Sequence, residues 1–176
     1  MKKKILHIAL VVFSLFLSVL PMQAQFQAGQ TLKIFMPESE YLLSVENSSL
    51  AVSAKAVLWN DTDTPSQCWK VYEGTGGTIQ LKNVYSGLYL GRTTTAANGA
   101  PVGQLEEKKT LIHGNWLFEP VEGQEGVYTI YLGTSKRNCL AAPANKELGK
   151  QLTLQREQGT DTERIQWKVQ VVEAKP

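Results

Sequence analysis

Apolar and polar residues alternate in short runs along most of the chain, and this pattern predicts β-strands. Ile79 and Leu81 alternate with polar neighbours, a turn follows at residues 85–87, and a second apolar run occupies residues 88–91. Two further short runs, 100–105 and 114–118, complete a unit of four predicted strands. Because no stretch beyond the N-terminal 25 residues has a convincing helical period, the chain is predicted to be all-β.

Two sets of anchor residues show that this four-stranded unit occurs three times. The closing strand of each unit contains a tryptophan, at intervals of 47 and 51 residues: Trp69, Trp116 and Trp167. The second strand of each unit contains a leucine, at intervals of 47 and 50 residues: Leu43, Leu90 and Leu140. Two independent landmarks with one period indicate an internal repeat.

The repeat sets the predicted domain organisation. Units of this length are too short to bury an apolar face alone, so they must pack on one another around a shared core. The prediction is a single domain over residues 27–172, with repeats at about 29–76, 77–124 and 125–172. The six anchors occupy equivalent inward positions and are predicted to form the structural core.

Two short motifs in the chain resemble those of a known protein family. Gln67-Cys68-Trp69 is a complete Gln-x-Trp motif, and residues 98–105 read Asn-Gly-Ala-Pro-Val-Gly-Gln-Leu. With them the chain resembles the ricin-type (ricin B lectin-like) β-trefoil, whose units end in Gln-x-Trp. The second and third units keep only the tryptophan, so the repeats are degenerate. The resemblance implies a β-trefoil fold and a binding module that needs no cofactor.

The first 24 residues have the layout of a secretory signal peptide. Lys2-Lys3-Lys4 is followed by an apolar run, residues 5–20, and then by Met22-Gln23-Ala24. We expect cleavage before Gln25 and a secreted or periplasmic product. No cysteine lies near the cleavage site, which argues against a lipoprotein anchor, and the remaining chain contains no second apolar run that predicts membrane insertion.

Charge argues against a nucleic-acid partner. The whole chain has 18 basic and 16 acidic residues, and loss of Lys2, Lys3 and Lys4 with the signal peptide leaves 15 basic residues. The processed protein is then close to neutral, whereas nucleic-acid binding depends on a concentration of positive charge.

Two cysteines, Cys68 and Cys139, remain after processing. An oxidising compartment permits a disulfide between them, and two separate thiols are the alternative. Cys139 matches a position where ricin-type units carry a cysteine, but its expected partner position, near Gln155 or Arg156, has none. The family's bridge within a unit is therefore absent.

Trp59 is the aromatic residue that the repeat does not explain. It lies in the predicted third strand of the first unit, and its equivalents, placed near Gln104 and Leu154, are not aromatic. An indole beside Asn60 and Asp61 could hold a pyranose ring by stacking and hydrogen bonds. Packing as scaffold is the alternative.

The resemblance also suggests which unit binds a sugar. The family's sugar sites have an aspartate early in the second strand, and the matching positions here are Ser44, Gly91 and Ala141. A second polar group, just before the motif glutamine, maps to Ser66, His113 and Arg164. The first unit keeps the most hydrogen-bonding capacity, so the candidate ligand residues are Ser44, Trp59, Asn60, Ser66 and Gln67.

Catalysis finds little support in the sequence. His113 is the single histidine after processing, and no nucleophile triad, metal-ligand spacing or phosphate-binding loop accompanies it. We therefore predict no enzyme activity and no metal. The leading hypothesis is carbohydrate binding. The alternative is protein binding, as a protease inhibitor or by docking to a surface protein, through loops 46–55, 93–99, 145–149 and 158–163.

Overall fold

The computed structural model describes residues 26–95 and 98–172; the predicted signal peptide, residues 1–24, lies outside these ranges. The described residues form one sheet system of twelve strands. The strands are β1 (Thr31–Phe35), β2 (Tyr41–Val45), β3 (Ala56–Asn60), β4 (Trp69–Glu73), β5 (Ile79–Asn83), β6 (Tyr89–Arg92), β7 (Val102–Leu105), β8 (Trp116–Pro120), β9 (Val127–Leu132), β10 (Asn138–Ala141), β11 (Thr153–Arg156) and β12 (Gln166–Val172).

The first and fourth strands of each unit join into a closed ring. All neighbours are antiparallel, and the ring runs β1-β4-β5-β8-β9-β12 and back to β1. The second and third strands of each unit pair as hairpins: β2 with β3, β6 with β7 and β10 with β11. This arrangement confirms the predicted all-β fold, a single-domain β-trefoil of three four-stranded repeats.

Closure of the ring joins the two ends of the described chain. Five residue pairs link β1 to β12, from Thr31 opposite Val172 to Phe35 opposite Lys168. Closing a sheet on itself removes the unpaired edges that would otherwise invite pairing with another chain.

The two sets of anchor residues meet in the core. Trp69, Trp116 and Trp167 are fully buried, as are Leu43, Leu90 and Leu140. In each unit the indole Nε1–H donates to the leucine carbonyl, at 3.4, 3.0 and 2.9 Å in chain order. A buried indole needs such an acceptor, so each bond ties the fourth strand of a unit to its second.

Helical structure in the described residues is limited to short turns. Three turns are of the 3₁₀ type: Glu46–Ser48, Pro65–Gln67 and Glu107–Lys109. Two single turns are α-helical, α1 (Thr110–His113) and α2 (Thr162–Ile165). A helical turn thus precedes the tryptophan strand in every unit. No helix in these ranges is long and apolar enough to cross a membrane.

The pairing register corrects the alignment of Trp59. Leu58 lies opposite Leu43, just as Gln104 and Leu154 lie opposite their own second-strand leucines. Leu58, not Trp59, is therefore the equivalent of Gln104 and Leu154. The predicted alignment was off by one residue: it made the connection to the third strand two residues longer in the first unit, whereas the register makes it one residue longer. Trp59 instead corresponds to Leu105 and Gln155, which are also not aromatic.

Both cysteines are thiols in the structure. Cys139 is buried opposite Gln155, and its Sγ donates to the Gln155 carbonyl at 3.3 Å. Burial, with a smaller effect from the nearby Glu157, raises the pKa of the Cys139 thiol to about 12. Because the thiolate is the reactive form, Cys139 is inert at neutral pH.

We predict that Trp116→Ala lowers the free energy of unfolding by about 3–5 kcal/mol, because it leaves a large cavity in the shared core. Such a loss should lower the melting temperature by about 10 °C in a domain of this size. Thermal unfolding followed by circular dichroism measures it, with Trp59→Ala as the control, since Trp59 is 43% exposed. An unchanged melting temperature for Trp116→Ala would contradict the core assignment.

Candidate functional site

A pocket of about 220 Å³ opens on the first unit. Its walls come from β2, β3, the 3₁₀ turn Glu46–Ser48 and the segment from Thr62 to Ser66. One residue of the third unit, Gly149, completes the lining. The pocket therefore combines an aromatic ring, a carboxylate and several hydroxyl groups in one place.

Trp59 forms the aromatic wall. Its side chain is 43% exposed, although β3 begins with three buried residues. Gly149 packs against the ring: a Cβ built on it would lie 3.2 Å from Cζ3 of the indole. The backbone N–H of Gly149 also donates to the Leu58 carbonyl at 2.8 Å. The third unit thus supports the Trp59 ring in the first.

A chain of hydroxyl groups forms the polar wall. The Ser48 hydroxyl donates to Ser66 Oγ at 2.9 Å, and Ser66 is bonded in turn to Thr64 Oγ1 at 3.1 Å. Thr64 continues to Thr62 Oγ1 at 3.2 Å, and Thr62 donates to Gln67 Oε1 at 3.1 Å. Since each hydroxyl both donates and accepts, the chain can reorient to match the hydroxyl groups of a ligand.

Glu46 supplies the carboxylate of the pocket. It is fixed by backbone bonds to Lys55 and Ser49, and its Oε1 pairs with Lys55 Nζ at 3.1 Å. The turn that follows is strained, since Asn47 and Ser48 have φ of 51° and 48°, values that few L-residues adopt. The strained turn folds the backbone so that Glu46, Asn47 and Ser48 all line the pocket.

Gln67 and Asn60 lie outside the pocket lining. Gln67 is 1% exposed; its Nε2 donates to the Asn60 carbonyl at 2.6 Å and its Oε1 accepts from the Thr62 N–H at 2.9 Å. Asn60 follows Trp59 on β3, and adjacent strand residues point to opposite faces. The pair therefore ties the end of β3 to the polar wall.

Of the five residues predicted from the sequence, the structure brings three together in the pocket: Ser44, Trp59 and Ser66. Sequence reasoning missed Glu46, Ser48, Thr62, Thr64 and Gly149. A signal for Glu46 existed, because it lies two residues beyond Ser44, and such residues share a face of a strand. Nothing in the sequence linked Gly149 to Trp59.

Asp61, which the sequence placed beside the ring, is paired with a lysine instead. The Lys33 ammonium is 2.8 Å from Asp61 Oδ1 and 3.0 Å from Asp63 Oδ1. Lys33 is nearly buried, at 5% exposure. Burial alone would lower the pKa of Lys33, but the hydrogen bonds and charges of both aspartates outweigh it, and the net pKa is raised. This ion pair anchors the segment that leads into the polar wall.

The positions equivalent to Ser44 are closed in the other two units. At Gly91 a side chain would run into the His113 carbonyl and the Leu105 side chain, because α1 packs on β6. Ala141 is fully buried, and beside it Arg164 Nε donates to the Ala142 carbonyl at 3.0 Å. The three repeats thus share a fold, but Ser44 lines a pocket whereas the equivalent Gly91 and Ala141 are covered by neighbouring groups.

The described ranges contain no group of three or more His, Cys, Asp or Glu side chains that could hold a metal ion. His113, the histidine that the sequence singled out, accepts a hydrogen bond at Nδ1 from Arg92 Nε at 2.8 Å. Burial, Arg92 and Lys109 all lower the pKa of His113 below its usual value.

Comparison with known proteins agrees with the fold and the repeat. Residues 23–105 match the family model described as ricin-type beta-trefoil lectin domain-like. The threefold architecture and the solved structures confirm the predicted β-trefoil fold, and the match agrees with the predicted resemblance to ricin-type (ricin B lectin-like) domains. No curated protein matches the sequence.

Solved structures share the fold at low sequence identity. A designed threefold-symmetric protein, ThreeFoil, is 19% identical with a TM-score of 0.69, over 79% of this chain and 96% of its own. A ricin B-like lectin of Macrolepiota procera, solved with lactose, is 18% identical with a TM-score of 0.68, over 82% and 97%. An exo-beta-1,3-galactanase from Clostridium thermocellum is 22% identical with a TM-score of 0.71, over 83% of this chain but 31% of the enzyme.

We predict that Gly149→Ala displaces the Trp59 ring, because the new Cβ crowds the indole. Gly123→Ala is the matched control: Gly149 and Gly123 have φ of 76° and 75°, but a Cβ at Gly123 meets nothing within 4 Å. Both variants should lose about 1 kcal/mol of stability from backbone strain. Only Gly149→Ala should shift the Trp59 indole resonance in an NMR spectrum, and equal spectra for the two variants would refute the contact.

We predict that Lys33→Met lowers the free energy of unfolding at pH 7 by about 1–3 kcal/mol, since it leaves two carboxylates without their shared cation. The folded pKa of Lys33 is raised above 10.5, so its contribution is complete below pH 10.5 and is lost as the pH rises through the folded pKa. Urea unfolding of both proteins should show the stability difference narrowing above that pH. A difference that stays constant would exclude the ion pair as its cause.

Proposed function

We propose that this protein is a secreted or periplasmic, non-catalytic, lectin-like module that binds carbohydrate in the first unit. The observation that carries the proposal is the pocket itself, in which the exposed Trp59 ring faces a hydroxyl chain and the Glu46 carboxylate. A stacking surface beside hydrogen-bond donors and acceptors suits a sugar ring, which has an apolar face and a rim of hydroxyl groups.

The size of the pocket limits what it holds. At about 220 Å³ it is smaller than the ~300–1,000 Å³ typical of sites for drug-sized ligands. A single sugar residue, at the end of a glycan or exposed along it, fits such a volume. The rest of the glycan then extends into solvent past the exposed edge of Trp59.

Glu46 is proposed to replace the missing aspartate of the family. Ser44 occupies the aspartate position and is 4% exposed, so it can offer one hydroxyl at the pocket floor. Glu46 is 35% exposed at its side chain, and its carboxylate can accept from two adjacent sugar hydroxyls. Lys55 pairs with this carboxylate at 3.1 Å and orients it.

The comparisons support a binding role. The Macrolepiota procera lectin, which covers the same fold over almost its whole length, was solved with lactose. The galactanase shares the fold over less than a third of its chain, so that likeness does not extend to the whole enzyme. The signal-like segment, residues 1–24, supports the proposed export.

A protein partner is the second candidate, because loop 46–55 exposes two aliphatic side chains. Leu50 is 63% and Val52 43% exposed, both beside the pocket turn. Exposed aliphatic groups on a surface loop are a common element of protein contacts. The sugar hypothesis ranks first because it accounts for Trp59, Glu46 and the hydroxyl chain together.

We predict that residues 25–176 bind at least one glycan on an array and that Trp59→Ala abolishes the signal with folding intact. Tyr72→Ala is the control, since Tyr72 is also a partly exposed aromatic residue, at 37%. Retained binding in Trp59→Ala would refute the site. A blank array would favour the protein partner, to be sought with Leu50→Ser and Val52→Ser as non-binding variants.

We predict that Glu46→Gln weakens binding of the same glycan by about tenfold or more, because it replaces a charged acceptor by a neutral one. Isothermal titration calorimetry measures the change. Glu122→Gln, at an exposed carboxylate of the second unit, controls for the loss of charge. Equal affinity for Glu46→Gln and the wild type would show that Glu46 does not replace the aspartate.

A further inference from the structure

A second pocket, of about 390 Å³, lies where the second unit meets the third. Its lining comes from Thr75 and Thr78 between β4 and β5, from Arg92 on β6, from residues 111, 112 and 115 in and after α1, and from residues 132–135, 137 and 138 around the β9–β10 connection. It shares no lining residue with the pocket around Trp59. The two pockets are therefore separate sites.

The pocket contains two arginines and no acidic side chain. Arg92 and Arg137 both line it, and within the described residues neither forms an ion pair with a carboxylate. Two unneutralised guanidinium groups that share one concave surface favour an anionic ligand.

Arg92 is held in place for such a ligand. Its Nε donates to His113 Nδ1 at 2.8 Å, which fixes the plane of the guanidinium, and neither Nη group has a hydrogen-bond partner among the described residues. His113 can accept this bond because its Nδ1 is unprotonated, and burial together with Arg92 and Lys109 lowers the pKa of His113. A planar fork with its Nη donors available matches the two oxygens of a carboxylate.

The rest of the lining is neutral and mixed in character. Thr75, Thr78, Thr134 and Ser135 contribute hydroxyls, and Asn115 and Asn138 contribute amides. Leu111 and Ile112, on α1, form an apolar side and are 68% and 73% exposed. The pocket thus offers positive charge, hydroxyl and amide groups, and an apolar surface to one ligand.

We propose that this pocket binds the carboxylate of an acidic sugar residue, such as a uronic acid, within a charged glycan. Arg92 and Arg137 hold the carboxylate, the hydroxyls and amides meet the ring hydroxyls, and Leu111 with Ile112 covers the apolar face of the ring.

The same charge could attract an acidic peptide, but the surroundings favour the sugar. Charges near the pocket alternate in sign: Lys136 pairs with Glu119 at 2.8 Å, and Lys108 pairs with Glu106 at 3.0 Å. Of the lysines around the pocket, Lys136 and Lys108 are thus neutralised by carboxylates, and they do not form a continuous track for an extended acidic chain. A ligand with one carboxylate and several hydroxyls fits this distribution better than a run of carboxylates.

The test is an NMR titration of the ¹⁵N-labelled processed protein with D-glucuronate. Methyl glucoside, a neutral sugar, and a triglutamate peptide are titrated in parallel. The variants are Arg137→Gln, at an exposed position, and Arg92→Gln. Lys70→Gln, an exposed cation of the first unit, controls for net charge. Trp59→Ala reports whether binding depends on the first pocket.

D-glucuronate is expected to shift the resonances of residues 92, 111–115 and 133–138 in a saturable way. Its affinity should fall about tenfold or more in Arg137→Gln and stay unchanged in Lys70→Gln and Trp59→Ala. Methyl glucoside should leave these resonances in place. The proposal is overturned if glucuronate shifts nothing, if Arg137→Gln binds like the wild type, or if Lys70→Gln weakens binding equally. Stronger shifts by triglutamate at the same residues would assign the pocket to an acidic peptide instead.

Discussion

Each of the three buried indoles donates its one N–H to the carbonyl of the second-strand leucine in its own unit, and the rest of the structure depends on this arrangement. The bond satisfies the polar edge of a large side chain at the centre of the core, where an unpaired donor would be costly. It also fixes the fourth strand against the second. Repeated three times, it places the three hairpins at equal positions around the closed ring of six strands.

The threefold core leaves the surface free to differ between units. In each unit a helical turn precedes the tryptophan strand and packs on the second strand, but the residues beneath that turn differ. Gly91 lies tight against the His113 carbonyl and Ala141 is fully buried, whereas Ser44 faces the pocket. Among the described units, the position of Ser44 is thus open to a pocket in the first unit alone. The aromatic wall of that pocket, Trp59, is supported by the loop of the third unit that contains Gly149.

The fold could be predicted from the sequence because its determinants are periodic. Buried tryptophans and leucines must recur wherever an equivalent strand meets the shared core, so their spacing reports the repeat directly. The site is less regular. Trp59 and Ser66 could be found by position, but the alignment of Trp59 was off by one residue, because the connections before the third strand differ in length between units and only the pairing register shows by how much. Gly149 lies 90 residues after Trp59 in the chain, and only the packing of the third unit on the first brings them together.

The central claim is that one tryptophan of four is available to a ligand while the other three hold the fold. The most direct measurement is the indole region of a ¹H–¹⁵N NMR spectrum, recorded during hydrogen exchange and then with the best glycan. We expect three slowly exchanging indole N–H groups, from Trp69, Trp116 and Trp167, and one fast one, from Trp59, which alone shifts on glycan addition. A glycan-dependent shift at a protected indole, with Trp59 unmoved, would contradict it.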